Sequence, residues 1–381
     1  MKNPKNTVWR IALFLLTVVC GLLMADRGEN EFPVFACSEA LSGESGSTGL
    51  LLQQNMWEVV PLLGYGIVEQ QGTQNPEEDE TTCRTLTTED LISEELLLPQ
   101  PEETQQTALI PEATAGTALS NFRPAVQQVQ IDRTQLADYE TLVRNFYAID
   151  ANTMAGSDQL SVEKLLGMDM TLPQEGDGPQ ILIYHTHSQE AFADSVPGDV
   201  NTGIVGVGEC LTKILTEQYG YRVLHNTGQY DVETRDNAYS RALPAVEQIL
   251  AENPSIQVII DLHRDEVAEE TKLVTDIQGR PTARFMFFNG LSRTRKTGDI
   301  DYLANENQEA NLAFSFQMQL KAAEYYPGLT RRIYLKGYRY NMHLRPRTLL
   351  VELGAQNNTV EEAINACDPL AHILDMVLKG E

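Results

Sequence analysis

The apolar positions between residues 139 and 378 follow two alternating patterns. Short, continuous apolar runs of strand length occur at 181–184, 221–225, 257–262, 283–288, 331–335 and 348–353. Longer segments with apolar residues at helical spacing separate or flank them, at 139–147, 204–218, 236–252, 305–325 and 358–378. Continuous apolar strands that alternate with helices predict an α/β fold, with a mostly parallel sheet covered by helices on both faces.

The first 27 residues have a different pattern. Lys2, Lys5 and Arg10 precede an apolar run from Ile11 to Ala25, which Asp26 and Arg27 close. This pattern predicts a cytoplasmic stub and a single membrane anchor at 1–27, with the rest of the chain outside the cytoplasm because positive charge stays on the inner side. A cleaved signal peptide is the alternative, since a weak small-residue cleavage site ends the run.

Residues 28–120 are rich in Gly, Ser, Thr, Gln, Glu and Pro and predict an acidic, low-complexity spacer. The stretch from 26 to 119 holds 18 Asp and Glu against two Arg, which is most of the chain's net charge of −26. The remaining segment, 121–381, is then a globular domain, the candidate for any catalytic function, and 139–147 is its lead-in helix. The acidic balance argues against a nucleic-acid partner, because phosphates need an excess of Lys and Arg.

Histidines and carboxylates follow the ends of three predicted strands. His185, His187 and Glu190 come directly after 181–184, and His263 lies at the end of 257–262 beside Asp261, Arg264 and Asp265. The carboxyl ends of parallel strands collect ligands, and two imidazoles with one carboxylate suit a catalytic zinc. Solvated histidines at a polar strand end are the alternative interpretation.

Glu352 lies near the carboxyl end of the strand 348–353. A carboxylate in an apolar strand is costly to bury unless it is paired or lies at the rim of the sheet. Glu352 therefore fits either a salt-bridged structural role or the general base that a metal-activated water requires.

Several motifs of the globular segment occur together in a known family. They are LVRNFYAIDANT, EKLLGMDM, PQILIYHTHSQEAF, HNTGQYD, AYSRA, VIIDLHRD and YNMHLRPRTLLVELGAQNNTVEEA. With them, the segment from about 139 to 378 resembles the stage II sporulation protein P family of endospore-forming bacteria. The charged N-terminus, the apolar run and the spacer are also similar to that family.

The resemblance implies a zinc-dependent peptidoglycan hydrolase, an N-acetylmuramoyl-L-alanine amidase to which an endopeptidase activity on stem-peptide cross-links is also attributed. It implies a zinc amidase-like fold and a role in forespore engulfment, at the septal and engulfing membrane. The expected partners are peptidoglycan, the membrane, and stage II sporulation proteins D and M.

Carried over residue by residue, the resemblance makes His187, Glu190 and His263 the zinc ligands and Glu352 the catalytic base. His185 is the alternate for His187, and Glu209 is the alternate for Glu190. Arg264 and Asn341 are candidate substrate contacts. A catalytically inactive, wall-binding scaffold that recruits other sporulation hydrolases is the competing function.

Overall fold

The computed structural model describes residues 122–173 and 176–381. The strands are β1 (Tyr147–Ile149), β2 (Ile181–Tyr184), β3 (Val223–His225), β4 (Val258–Asp265), β5 (Val274–Ile277), β6 (Arg280–Ala283), β7 (Phe285–Gly290), β8 (Arg293–Thr294), β9 (Gly298–Asp299), β10 (Ile333–Lys336) and β11 (Arg347–Ala355). The α-helices are α1 (Tyr139–Phe146), α2 (Val162–Gly167), α3 (Ile204–Glu217), α4 (Ala238–Glu252), α5 (Gln308–Tyr325) and α6 (Val360–Lys379).

Seven strands form the central sheet, in the order β1-β10-β7-β11-β4-β2-β3. In the described residues every neighbouring pair of this sheet is parallel except β7 and β11, which are antiparallel. The prediction of an α/β fold with a mostly parallel sheet is confirmed. The strands β2, β3, β4 and β11 run in one direction, so their carboxyl ends meet at one edge of the sheet.

The alternation of side chains along the strands divides the interior into two layers. On one face, Val258, Ile260 and Leu262 of β4 belong to a large apolar cluster with α3, α5 and α6. On the other face, Ile259 packs with α4 in a smaller cluster. His263 continues the Ile259 side of β4, so it lies on the face that α4 covers.

Strand β11 has an irregularity that lies next to the candidate site. Its register with β4 pairs Glu352 with His263 and then shifts before Ala355 pairs with Asp265. Gly354 lies inside this irregularity with φ +67°, a left-handed conformation that a side chain at this position would disfavour. The regular pairing of β11 with β4 therefore ends at Glu352.

The remaining strands form two small hairpins, β5 with β6 and β8 with β9, which the sequence patterns did not predict. The predicted membrane anchor at 1–27 and the predicted spacer at 28–120 lie outside the described residues. Within the part of the chain that the structure describes, no helix is both long and apolar enough to cross a membrane.

Candidate metal centre and active site

Three predicted ligands come together beyond the carboxyl ends of β2 and β4. His187 and Glu190 lie on the loop that follows β2, and His263 lies near the end of β4. Their candidate ligand atoms all lie within 4.8 Å of one another, and all three residues are buried. Since β2 and β4 are adjacent and parallel, their ends necessarily bring these side chains to the same place.

Glu190 is held in place through both its carboxylate and its backbone. Its Oε1 lies 2.9 Å from Arg235 Nη2, and its Oε2 accepts a hydrogen bond of 2.8 Å from the Arg264 backbone N–H. Its carbonyl accepts a 2.9 Å bond from the first N–H of α3, at Ile204. A Cβ at Gly203 would lie 2.5 Å from the Glu190 carbonyl oxygen, so this close approach requires glycine.

The carboxylate of Glu190 is ionised despite its burial. Burial raises the pKa of Glu190, but the imidazoles of His187 and His263 outweigh that effect and hold the pKa well below its ordinary value. The nearest separations are 3.4 Å from Oε1 to His187 Nδ1 and 3.6 Å from Oε2 to His263 Nδ1. The Nδ1 atoms of both rings therefore lie near the carboxylate of Glu190.

Asp261 sets the orientation of His263. Its Oδ1 lies 2.8 Å from His263 Nε2, and it also accepts hydrogen bonds from the backbone N–H and the hydroxyl of Thr186. A carboxylate at Nε2 favours a proton on that nitrogen and leaves Nδ1 as the metal-binding lone pair in the neutral ring. Burial lowers the pKa of His263, but Asp261 and Glu190 outweigh it and raise that pKa well above its ordinary value.

An aromatic side chain from α4 packs over both imidazoles. The Tyr239 ring stacks on His263 with 6.3 Å between ring centroids, and it meets His187 edge-on at 5.6 Å. The Asn341 side chain donates a 2.9 Å hydrogen bond to the Tyr239 carbonyl and is only 3% exposed. The structure thus places Asn341 behind Tyr239, where it holds the backbone of α4.

Glu352 lies beside this group, on the neighbouring strand. It is paired in register with His263, and its buried Oε2 has no hydrogen-bond partner among the described residues. Burial raises the pKa of Glu352 to about 7, and the nearby carboxylate of Asp265 adds to this effect. Glu352 therefore has the position and the proton affinity of a general base.

The side chain of Arg264 donates hydrogen bonds to backbone carbonyls. Its Nε donates to the Ala191 carbonyl at 3.0 Å, and its Nη1 donates to the Asp265 carbonyl at 3.2 Å. These bonds tie the loop after Glu190 to the end of β4. The side chain is partly exposed, so its role as a substrate contact stays a prediction.

The alternates His185 and Glu209 belong to a second group. His185 Nδ1 donates to the Leu262 carbonyl at 2.8 Å, and its Nε2 lies 2.9 Å from His225 Nε2. His225 Nδ1 in turn lies 3.0 Å from the Oε2 of Glu209, whose side chain is 73% exposed. Burial, followed by the neighbouring His225, lowers the pKa of His185 to about 4. Both alternates therefore have partners away from the three residues that are grouped as a candidate metal site.

The donor set fits zinc in its chemistry. A catalytic zinc site uses three protein ligands of the imidazole and carboxylate type and leaves one position for water. Two histidines, an ionised glutamate and a carboxylate behind one ring supply that arrangement. Arg235 and Tyr239 were not predicted from the sequence. Arg235 is a single loop residue without a motif around it, and Tyr239 belongs to the AYSRA motif, which assigned it no role.

The chain is similar to a known protein family. The family model described as stage II sporulation protein P matches residues 77–375. The stage II sporulation protein P of Bacillus subtilis (strain 168) is 26% identical over 217 residues, which is 52% of this chain and 51% of that protein. The chain thus matches about half the length of this curated relative.

Solved structures of amidases are also similar to part of the chain. The N-acetylmuramoyl-L-alanine amidase AmiC2 of Nostoc punctiforme is 12% identical, with a TM-score of 0.33, over 53% of this chain and 97% of that one. The CwlD amidase from Clostridioides difficile, solved in complex with the GerS lipoprotein, is 12% identical, with a TM-score of 0.31, over 53% of this chain and 95% of that one.

Proposed function

The chain belongs to the stage II sporulation protein P family, and we propose that it is a zinc-dependent peptidoglycan hydrolase. Its proposed reaction is hydrolysis of the amide between N-acetylmuramic acid and L-alanine, with stem-peptide cross-links as a second substrate. The observation that carries this proposal is the buried group of His187, Glu190 and His263, with Glu352 beside it on the adjacent strand.

In this proposal His187, Glu190 and His263 hold the zinc. When bound, zinc lowers the pKa of a water molecule towards 7 and polarises the scissile carbonyl. The side chains behind the ligands keep them in place. Asp261 fixes the ring of His263 through its Nε2, and Arg235 holds the carboxylate of Glu190.

Glu352 is the proposed proton carrier. Its buried Oε2 is available to accept the proton of the attacking water, because no described residue forms a hydrogen bond with this oxygen. The same carboxyl then passes the proton to the amine of the departing L-alanine. A pKa of about 7 suits both halves of this transfer at neutral pH.

The membrane topology of the chain and the process in which it acts are also part of the proposal. The charge pattern around the apolar run favours a single-pass anchor at 1–27, an acidic spacer at 28–120, and a catalytic domain at 121–381 outside the cytoplasm. Family membership favours a role in sporulation, for which we propose forespore engulfment together with stage II sporulation proteins D and M. A reporter fused after residue 381 that is active only in the cytoplasm would contradict this topology.

Digestion of purified peptidoglycan tests the proposed reaction. The full chain in detergent is incubated with peptidoglycan, and the released ends are identified by mass spectrometry. Free L-alanine amino termini with intact glycan strands are expected from the wild type and not from Glu352→Gln. Cleavage of stem-peptide cross-links alone would indicate that the protein is an endopeptidase and not an amidase. Binding without any new ends would instead favour the wall-binding scaffold.

A further inference from the structure

Two thiols meet where α3 packs against α6. The Cys367 thiol on α6 lies 3.5 Å from the carbonyl oxygen of Val207, and Cys210 lies one turn further along α3. The two thiols are close enough for each to shift the pKa of the other. The structure therefore brings together two cysteines that are more than 150 residues apart.

The two thiols differ in their surroundings in a way that suits stepwise oxidation. Cys210 is partly accessible, whereas Cys367 is fully buried. The neighbouring Cys367 thiol lowers the pKa of Cys210 in spite of its burial, and Lys213 and Arg280 contribute in the same direction. The neighbouring Cys210 thiol and burial raise the pKa of Cys367 well above its ordinary value. The accessible thiol is thus the better nucleophile.

We propose that Cys210 and Cys367 form a disulfide that links α3 to α6. The oxidant is a disulfide, carried outside the cytoplasm by a dithiol–disulfide oxidoreductase. The Cys210 thiolate attacks one of its sulfurs, forming a mixed disulfide and releasing one thiolate. Cys367 loses its proton and attacks the Cys210 sulfur, which breaks the mixed disulfide and releases the second thiolate. The pair loses two electrons and two protons, and the oxidant is reduced to its dithiol.

This link would act on the segment that carries Glu190. The first N–H of α3 binds the Glu190 carbonyl, and the loop before α6 accepts a 2.9 Å hydrogen bond from the Ala193 N–H at the Asn358 carbonyl. The Val360 N–H of α6 donates a further 2.7 Å bond to Asp194. The segment 190–194 is therefore held between the starts of the two helices, and a covalent link between them would limit its movement.

Thiol mapping tests the proposal and does not depend on hydrolase activity, so its result is separate from that of the peptidoglycan digest. The full chain, with Cys20, Cys37 and Cys83 replaced by Ser, is incubated with oxidised glutathione and then alkylated. The matched controls are the same chain with Cys210→Ser and with Cys367→Ser. Mass spectrometry is expected to find one peptide pair joined through Cys210 and Cys367, without bound glutathione.

Thermal unfolding gives the second readout. A cross-link that closes so long a loop is expected to raise the unfolding midpoint by about 5–10 °C over the reduced chain, and neither Ser control should shift on oxidation. Two alkylated thiols after oxidation would overturn the proposal. A cross-linked chain with an unchanged or lower midpoint would also overturn it, because the link would then strain the helix pair.

Discussion

Replacing Glu352 with Gln separates proton transfer from metal binding. The amide keeps the size of the side chain but cannot accept a proton at neutral pH. Because Glu352 is not one of the three grouped ligands, zinc should stay bound at one ion per chain. Loss of a general acid–base group costs about 10²–10⁴ in turnover, which corresponds to about 3–5 kcal/mol of activation free energy.

The same substitution changes the pH dependence of stability in the metal-free protein. The folded-state pKa of Glu352 is raised from 4.5 to about 7 by burial and by Asp265. A carboxyl with a raised pKa contributes its stability below pH 4.5, and that contribution is lost as the pH rises through 7. The amide that Glu352→Gln introduces does not titrate. The free energy of unfolding of the variant, relative to that of the wild type, should therefore increase by about 1–3 kcal/mol as the pH rises from 4.5 to 8.

Urea unfolding of the chelator-treated protein at pH 5 and pH 8 measures this gain, and peptidoglycan digestion with the zinc-loaded protein measures turnover. Glu209→Gln is the matched control, since its side chain is 73% exposed and should change neither quantity. Full activity of Glu352→Gln would refute its role as base. A stability difference that does not change with pH would refute the raised pKa.

Three further substitutions test the supports of the site and an unrelated buried charge. Arg235→Met should weaken zinc binding about 10–100-fold in chelator competition, because the Glu190 carboxylate loses its 2.9 Å partner; an unchanged affinity would exclude this support. Asp261→Asn should lower zinc affinity by a similar factor, because the His263 ring loses the carboxylate beside its Nε2. A change in stability without a change in zinc affinity would contradict this prediction. Lys336→Met should raise the free energy of unfolding by about 1–3 kcal/mol in urea titrations, since the Lys336 Nζ is buried without a hydrogen-bond partner in the described residues; a destabilised variant would contradict this.

The apolar patterns predicted the central elements well because the sheet is buried on both faces. Strand β2 is buried at all four positions, which produces the continuous run that the sequence shows at 181–184. An apolar run does not indicate in which direction its strand runs in the sheet, so the antiparallel pairing of β7 with β11 could not be predicted from it. The β5–β6 hairpin turns at Gln278 and Gly279, which both have positive φ in the structure, and in the sequence only the glycine indicates such a turn.

The candidate ligands were predictable because they follow strand ends, whereas their orientation was not. Strand β2 ends at Tyr184, so the two-residue alternation of side chains no longer applies to His185 and His187. His185 turns to His225, and His187 lies near Glu190. The contact of Arg235 with Glu190 joins residues 45 positions apart, and no local spacing encodes such a contact.

Zinc content, compared between the wild type and three variants, is the sharpest test of the proposed metal site. Zinc per chain is measured by elemental analysis in the wild type, His263→Ala, Glu190→Ala and Glu209→Ala, each after dialysis against a weak chelator. One zinc per chain is expected in the wild type and in Glu209→Ala, and less than about a tenth of that in His263→Ala and Glu190→Ala. Retention of one zinc by Glu190→Ala together with its loss from Glu209→Ala would overturn the proposed site, because Glu209 and not Glu190 would then bind the metal.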